Sequence, residues 1–564
     1  MKLPWQRLNL ADAENDEAAC LGPNKLAEAN AATLARLYRS NKTLAEVVKR
    51  TGQRAASDKM PPLRDGFKLN WDTLNEHAQR WGLEGDQVLA HHLVAERILV
   101  ELQQDEDYAR RLIAPRNTEA MRLLVLGAGG TGKSRIIASV REMFILVGKP
   151  GWLAVTAITG AAASLVSGQT MDSLLKTRAR RPDKESKDLL LNDSDFSLAI
   201  SGQRLKDVKF VIVDEFSMLG HYHLHLLDEA LRQERGQSAH LDFAGVNMCF
   251  FGDAAQLPPI GERALHLPPI AEGERAAGNL RGAQLWERLT HVVRLRKQFR
   301  AQGDAKYTAI LDRLRYGECT EEDMKVLNTR VLSEPALQNA MISSDAVYVT
   351  GRNRIRTDVA YRHAKSFVTA QGESLVVTVA EDNVHKGAAL STALRQNLLL
   401  ASGEGADKLA GCLPLILNSS YVLKHNVSVP HGLCNGSVGY LVDILFDDKP
   451  DSSSVAISMH DPALAALLRP PVCLIVYFPD CTLPTLPGLP PGHVPIDRRV
   501  HEFKYGGLTV RRKQFPLHPA KTITAHAAQG RTLRGGIVFD PQAPSSTNAD
   551  AAAHFYVALS RVPS

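Results

Sequence analysis

The hydrophobic pattern of the chain changes near Met121. Before that point, residues from about 23 to 52 and from about 83 to 114 carry apolar positions at helical spacing. After it, short apolar runs alternate with helical segments; the runs are RLLVLGAGG, GWLAVTAITG, VKFVIVDEFSM and VNMCFFGDAAQ. Uninterrupted apolar strands separated by helices are typical of a parallel sheet that is covered on both faces. The pattern therefore predicts an α/β domain.

A second α/β region is predicted to begin near His291 and to contain a long helical stretch from Asp304 to Arg330. A strand-rich segment with many Pro and Gly residues interrupts it from about Thr369 to Lys513. The predicted parts are a helical N-terminal extension at 1–75, a first domain at 76–290, a second domain at 291–368 and 514–564, and a β-rich insertion at 369–513.

Composition excludes several classes of protein. The 564 residues are too many for one core, which agrees with two or more domains. The seven cysteines form no C-x-x-C pair, so a zinc site or a disulfide framework is not expected. No apolar run approaches the roughly 18 residues of a membrane span, and the N-terminus lacks the pattern of a signal peptide. We therefore expect a soluble intracellular protein without a membrane partner.

The most specific motif is VLGAGGTGKS, which fits the pattern G-x-x-x-x-G-K-[ST] of a phosphate-binding loop. It follows an apolar strand and opens a helix, which is the context that such a loop requires. Glycines let backbone N–H groups converge on phosphates, and the helix N-terminus adds favourable charge. The predicted cradle consists of Gly127, Gly129, Gly130, Thr131, Gly132, Lys133 and Ser134. Lys133 would reach the terminal phosphates and Ser134 would bind Mg²⁺.

Two carboxylates follow the apolar run in FVIVDEFSM. At the carboxyl end of a parallel strand, Asp214 and Glu215 would lie beside the phosphate loop. Asp214 is predicted to hold magnesium through water, and Glu215 to polarise the attacking water. An isolated Asp-Glu pair usually lies on the protein surface and has no catalytic role. Together with the phosphate loop, however, it indicates hydrolysis of a nucleoside triphosphate.

A third apolar run, VNMCFFGDAAQLPPI, carries polar residues to the same predicted edge. Gln256 is predicted to hydrogen-bond the γ-phosphate and the attacking water, while Pro258 and Pro259 stiffen the segment that follows. Asp253 has a plain structural interpretation as the cap of a turn.

These stretches resemble the motifs of superfamily 1 helicases in the Pif-one and RecD branch. GDAAQLPPI is similar to the form G-D-x-x-Q-L-P-P, and DEFSML to D-E-[IV]-S-M. Further motifs follow in order from LEGDQVLA to FYVALSR, so the resemblance covers about Leu83 to Arg561. The residues of these motifs most resemble those of Pif-one-like helicases, including the helicase domains of Helitron-type transposons.

The resemblance implies further site residues. Gln87 in LEGDQVLA would contact the adenine, and Gly530 in the fifth motif would lie at the nucleotide. Arg300 in LRKQFR and Arg561 in FYVALSR would be arginine fingers supplied by the second domain. The implied nucleic-acid contacts are Thr156, Thr159, Thr170, Thr524 and His526. A structural interpretation of this last group stays open, because threonines commonly cap helices and a histidine can be buried.

The chain departs from the family pattern at Ile158, Asp172, Ala301, Ala527 and Ala528. Each departure removes a possible contact to nucleic acid, so we expect weaker DNA binding than is usual in the family. The family's small strand-separating insertion would fall at about 174–208. Because the chain stops soon after Arg561, we also expect the second domain to be truncated at its C-terminus.

The resemblance implies two RecA-like domains with parallel sheets, an SH3-like insertion in the second, and ATP and Mg²⁺ as cofactors. It implies a monomer that moves 5′→3′ on single-stranded DNA and unwinds forked or tailed duplex DNA, in the nucleus if the source is eukaryotic. Repair, recombination, replication or transposition would be its setting. Three alternatives stay open: an ATP-gated DNA-binding scaffold without motor activity, an RNA helicase, and a RecD-like subunit of a nuclease complex.

Overall fold

The structure is a computed structural model that describes most of the chain from residue 69 onward. The described residues are 69–109, 119–175, 205–235, 238, 240–300, 303–333, 336, 346–370, 375–384, 391–399, 409–428, 431–446, 455–458, 461–467, 470–542 and 548–562. Nearly all of the predicted N-terminal extension and the body of the predicted strand-separating insertion lie outside them.

The chain forms two compact units. The first, called the phosphate-loop unit here, contains Gly52–Thr329, Gln529–Thr532 and Ser545–Ser564. The second, called the strand-rich unit, contains Arg330–Ala528 and Leu533–Pro544 among the parts that include described residues. The last helix of the chain therefore groups with the phosphate loop. This corrects the prediction that 514–564 belongs as a whole to the second domain.

The helices of the phosphate-loop unit are α1 (Trp71–Arg80), α2 (Asp86–Ala109), α3 (Lys133–Leu146), α4 (Gly160–Leu165), α5 (Met171–Leu175), α6 (His221–Glu234), α7 (Ala276–Glu287), α8 (Ala305–Tyr316) and α9 (Glu321–Asn328). Those of the strand-rich unit are α10 (Asn353–Thr369), α11 (Thr392–Leu399) and α12 (Ala525–Ala528). The final helix, α13 (Asn548–Leu559), belongs to the phosphate-loop unit. No helix within the described ranges is long and apolar enough to cross a membrane.

A parallel sheet forms the centre of the phosphate-loop unit. Its strands are β1 (Arg122–Gly127), β2 (Leu153–Ala157), β3 (Gln169–Thr170), β4 (Phe210–Asp214), β5 (Asn247–Gly252) and β6 (His291–Leu295). They lie in the order β3-β2-β4-β5-β1-β6, and every neighbouring pair is parallel. The predicted α/β architecture is confirmed for this unit.

Alternate residues of each strand enter cores on opposite faces of this sheet. In β1, Leu123 and Val125 pack with α2 and α3, whereas Leu124 packs with the core that includes residues of α6 and α7. Since side chains alternate along a strand, a strand covered on both faces must be apolar at every position. This explains why the β1, β4 and β5 segments read as continuous hydrophobic runs.

Two predicted boundaries differ from the structure. β6 pairs with β1, so the first domain's sheet continues beyond the predicted limit at residue 290. Val292 is 60% exposed at this sheet edge, which is why β6 does not resemble a buried strand in the sequence. The predicted helix from Asp304 to Arg330 is divided into α8 and α9 by Gly317, whose φ of +73° ends α8 in the left-handed conformation.

The described residues of the strand-rich unit form a small parallel sheet, a mixed sheet and two antiparallel sheets. Its strands are β7 (Val347–Thr350), β8 (Leu375–Val379), β9 (Glu381–Val384), β10 (Cys412–Leu415), β11 (Ser420–Leu423), β12 (Val438–Leu445), β13 (Val455–Ser458), β14 (Asp461–Leu467), β15 (Cys473–Tyr477), β16 (His493–Ile496), β17 (Arg499–Tyr505), β18 (Leu508–Gln514), β19 (Leu517–Pro519), β20 (Thr522–Thr524) and β21 (Ile537–Phe539). Strands β20-β7-β21 are parallel, and β16-β15-β12-β11-β19 form a five-stranded antiparallel sheet. Strands fill the region predicted to be β-rich, while its SH3-like character stays a prediction.

Candidate active site

The phosphate-binding motif forms the turn between β1, which ends at Gly127, and α3, which begins at Lys133. Gly130 and Gly132 have φ of +94° and +86°, a region that glycine enters without steric cost. The Thr131 hydroxyl donates to the Ala128 carbonyl at 2.9 Å and tightens the turn. The loop therefore has the conformation that a phosphate cradle requires, and a helix N-terminus lies directly behind it.

Lys133 lies inside this loop and is 8% exposed. Its Nζ donates to the carbonyl oxygens of Gly127 at 2.7 Å and of Ala128 at 3.0 Å. Burial lowers the pKa of the Lys133 ammonium, while the carboxylates of Glu215, Asp253 and Asp214 act in the opposite direction. A cation is thus held within the curve of the loop, where a phosphate would be bound.

The two predicted carboxylates lie at the end of β4 and are both buried. Glu215 has φ of +53°, which is uncommon for a residue other than glycine and is typical of strained functional sites. Asp214 Oδ1 accepts the Glu215 N–H at 3.0 Å. Burial raises the pKa of Asp214, and the adjacent Glu215 charge raises it further. A bound cation would relieve both effects, which fits the donor set of a Mg²⁺ site.

Gln256 is 3% exposed, and its side chain has unmet hydrogen-bonding capacity. Neither Oε1 nor Nε2 has a partner among the residues that the structure describes. Its backbone N–H donates to the Asp253 carbonyl at 3.1 Å, which fixes the start of the loop. Buried amides normally find partners, so an unpartnered one indicates a group that binds there.

Arg300 and Arg561 meet at Gly129 in the phosphate loop. A Cβ added at Gly129 would lie 2.6 Å from Arg561 Nη2 and 3.0 Å from Arg300 Nη1. Arg300 Nη1 donates to the Ser560 carbonyl at 2.7 Å, and Arg561 Nη2 donates to the Ser560 hydroxyl at 2.8 Å. The absence of a side chain at Gly129 is what allows both guanidinium groups to reach the loop.

The three cations of the site, Lys133, Arg300 and Arg561, are not neutralised by ion pairs with its carboxylates. Burial, together with the neighbouring Arg561 charge, lowers the pKa of Arg300 to about 10. Within the described part of the chain, no carboxylate forms an ion pair with Lys133, Arg300 or Arg561. Unpaired buried charges are costly, and a polyanion bound at this point would compensate them.

Gln87 contacts the phosphate loop from the start of α2. Its Nε2 donates to the Thr131 carbonyl at 2.9 Å, and its Oε1 accepts the Glu84 N–H at 3.1 Å. Gly132 also needs to be a glycine here, since a Cβ would lie 2.2 Å from Gln87 Nε2. The structure places Gln87 against the predicted cradle, and its contact with adenine stays a prediction.

Gly530 and its neighbour Gln529 approach the second carboxylate. A Cβ on Gly530 would lie 3.7 Å from Glu215 Oε1. Gln529 Nε2 lies 3.2 Å from the Ser217 hydroxyl and 3.4 Å from Glu215 Oε2. The fifth motif thus reaches the carboxylate predicted to activate water.

The comparisons with known proteins agree with this geometry. Residues 101–325 match the family model described as PIF1-like helicase. This stretch of the chain is therefore similar to PIF1-like helicases. Its curated relatives include the ATP-dependent DNA helicase PIF1 of Saccharomyces cerevisiae (strain YJM789), 27% identical over 57% of this chain and 33% of that protein. The ATP-dependent DNA helicase RRM3 of Saccharomyces cerevisiae (strain ATCC 204508 / S288c) is 26% identical over 60% of this chain and 42% of that protein. The chain therefore spans less than two thirds of the length of these relatives.

Solved PIF1-like helicases share the fold. The crystal structure of Pif1 helicase from Candida albicans matches with a TM-score of 0.54 and 20% identity, over 86% of this chain and 92% of that one. The crystal structure of Pif1 helicase from Bacteroides in complex with ADP-AlF3 and ssDNA matches with a TM-score of 0.50 and 18% identity, over 79% and 88%. The RecA-like α/β fold expected from the resemblance is confirmed.

The predicted nucleic-acid residues have structural roles of their own. The hydroxyls of Thr159, Thr170 and Thr524 each accept a backbone N–H at the start of a short helix, at 3.2, 3.3 and 3.3 Å. Thr156 is fully buried in β2, between β3 and β4, so it is not available to a nucleic-acid strand in this structure. His526 is half-buried on α12 of the strand-rich unit. Contact of Thr159, Thr170, Thr524 and His526 with nucleic acid stays a prediction, whereas the burial of Thr156 argues against its predicted contact.

Several residues of the site were not among the predicted ones. Gln298 Nε2 donates to the Gly129 carbonyl at 2.6 Å. Asp253, considered only as a turn cap, is fully buried and accepts hydrogen bonds from Arg315 and Tyr556. Gln298 and Tyr556 lie inside recognised motifs, so their polar groups were a usable signal. Arg315 lies in an ordinary helical pattern and has no such signal.

Proposed function

We propose that this chain is an ATP-dependent DNA helicase that moves 5′→3′ along single-stranded DNA and unwinds forked or tailed duplex DNA. The observation that carries the proposal is the convergence of Lys133, Arg300 and Arg561 on the phosphate loop. The buried Glu215 lies near enough for its charge to act on Lys133 and Arg561. The relatives are named as DNA helicases, and one related structure concerns unwinding at forked double-stranded DNA. Direction and preference for DNA come from this likeness.

The residues present fit MgATP. The glycines of the loop leave room beside the backbone, and the unpartnered Gln256 amide offers a donor and an acceptor. Ser134 at the start of α3 and Asp214 at the end of β4 would hold Mg²⁺. Bound MgATP would supply the phosphoryl group whose transfer to water releases energy.

In this proposal each residue has one task. Lys133 binds the phosphates, and Glu215 accepts the proton of the attacking water. Gln256 orients that water, while Arg300 and Arg561 stabilise charge that develops on the transferred group. Gln87 would orient the adenine of ATP. The protein would act as a monomer, with Thr159, Thr170, Thr524 and His526 contributing to the DNA path.

The test is ATP hydrolysis by the purified chain with and without a single-stranded oligonucleotide. We expect hydrolysis that depends on Mg²⁺ and is stimulated by the DNA. Hydrolysis that is absent under both conditions would contradict the proposal, and so would stimulation by RNA with none by DNA.

A further inference from the structure

Asp253 is a buried carboxylate whose two oxygens are both engaged. Its Oδ1 accepts Arg315 Nε at 3.0 Å, and Arg315 Nη2 forms an ion pair with it at 2.8 Å. Its Oδ2 accepts the Tyr556 hydroxyl at 2.7 Å. The Asp253 residue is 0% exposed, and the Arg315 side chain is 13% exposed. The Asp253 side chain therefore joins Arg315 to Tyr556 at a point that is shielded from water.

Tyr556 lies on α13, just upstream of Arg561. Only three residues of α13 follow Tyr556 before the helix ends at Leu559, a rise of about 4.5 Å, so fixing Tyr556 also fixes where that end lies. Two further bonds hold that end: Tyr307 Oη donates to the Leu559 carbonyl at 2.8 Å, and Arg300 Nη1 to the Ser560 carbonyl at 2.7 Å. These two bonds contact backbone carbonyls, whereas Asp253 holds a side chain from the body of α13.

Asp253 is also joined to the segment that carries Gln256. The Asp253 carbonyl accepts the Gln256 N–H, and Asp253 Oδ1 accepts the Ala255 N–H at 3.2 Å. One residue therefore holds both the loop of the unpartnered amide and the helix of the buried guanidinium. A change in one would be transmitted to the other through a single carboxylate.

We infer that Asp253 is a positioning residue: by binding Tyr556, it sets the register of α13 and so places the Arg561 guanidinium against Gly129. Asp253 does not touch the reacting atoms in this arrangement and acts through Arg561. The catalytic part of the inference rests on the proposed function, while the docking of α13 does not.

The test removes the single hydroxyl with Tyr556→Phe. Because a misplacement of about 1 Å can cost on the order of a hundredfold, we expect kcat for ATP hydrolysis to fall roughly ten- to a hundredfold. The KM for ATP should stay within about twofold, since the lost interaction acts in the transition state. The matched control is Tyr421→Phe, which removes a buried hydroxyl that bonds Pro414 and Ile416 in the strand-rich unit. It should leave kcat unchanged.

A double variant shows whether Tyr556 acts on hydrolysis through Arg561 or independently of it. In single-turnover measurements, Tyr556→Phe should add no further loss to Arg561→Ala, because the residue to be positioned is gone. Full kcat in Tyr556→Phe would overturn the inference, and so would an independent, multiplicative loss in the double variant.

Amide hydrogen exchange gives a readout that needs no activity. In Tyr556→Phe without nucleotide, exchange should become faster within 548–562 and stay unchanged in β1, β4 and β5. If the wild type hydrolyses no ATP, the proposed function fails, and this measurement alone decides the inference. Unchanged exchange in 548–562 would then overturn it.

Discussion

The concentration of buried charge beside Gly129 is the feature that distinguishes this chain at the scale of single residues. Lys133 and Arg561 are 8% and 1% exposed and have no carboxylate in contact within the described residues. Asp253, in contrast, is buried together with its own arginine. A buried charge that is paired within the protein is already compensated. A buried charge without such a pair would be compensated by a bound ligand of opposite charge.

Replacing Lys133 and Glu215 tests the hydrolysis site directly. Lys133→Ala removes the cation within the loop, and Glu215→Gln removes the base, so each should abolish DNA-stimulated ATP hydrolysis. Glu215→Gln should still bind ATP, because the loop and Lys133 remain; binding of a fluorescent ATP analogue checks this. Turnover like that of the wild type in either variant would contradict the assignment.

Replacing Arg561 tests the role of α13. An arginine finger contributes on the order of 10³–10⁵ in rate, so Arg561→Ala should be nearly inactive while it still binds ATP. The control is Arg354→Ala, which changes an exposed arginine on α10 of the strand-rich unit. Equal turnover in the two variants would show that Arg561 is not needed for hydrolysis.

The phosphate loop is the element on which the arginines depend. A Cβ at Gly129 would displace the guanidinium groups of Arg561 and Arg300, although the backbone there suits any residue. Gly129→Ala should therefore lower kcat by tenfold or more, on the order of one lost charged hydrogen bond, with the fold retained. Gly151→Ala is the control, since nothing lies within 4 Å of a Cβ there. Normal kcat in Gly129→Ala would contradict this packing.

The elements that could be predicted from the sequence are those with a continuous run of apolar residues or a fixed spacing of particular residues. β4 and β5 are buried throughout, β1 is buried at every position except Leu126, and the phosphate loop has a fixed spacing of glycines. β6 was assigned to the wrong domain because its exposed positions conceal an edge strand. The bond from Asp253 to Arg315 joins residues that are 62 positions apart, and no spacing rule connects them.

At the scale of the whole molecule, the chain passes between the two units within the fifth motif. His526 belongs to the strand-rich unit, and Gln529, which approaches Glu215, belongs to the phosphate-loop unit. The predicted nucleic-acid residues and the hydrolysis site are therefore adjacent along the chain at this point. In the proposed motor, this stretch would connect DNA bound at Thr524 and His526 to the hydrolysis site.

Binding of single-stranded DNA should depend on salt. We expect log K to fall against log salt by about 0.7 per phosphate neutralised. The double variant His526→Ala with Thr170→Ala should bind more weakly in a titration of labelled oligonucleotide. Thr170→Ser is the control, because it keeps the hydroxyl that accepts the N–H of Ser173. Unchanged affinity in the double variant, or binding indifferent to salt, would remove support for these contacts.

The central claim is that this chain is a DNA motor driven by the site at Gly129. The most direct measurement compares unwinding of two duplexes, one with a 5′ single-stranded tail and one with a 3′ tail, by wild type and Lys133→Ala. We predict ATP-dependent separation of the 5′-tailed duplex alone, and none by Lys133→Ala. Binding of both duplexes without separation of either would contradict the claim and identify the chain as an ATP-gated scaffold.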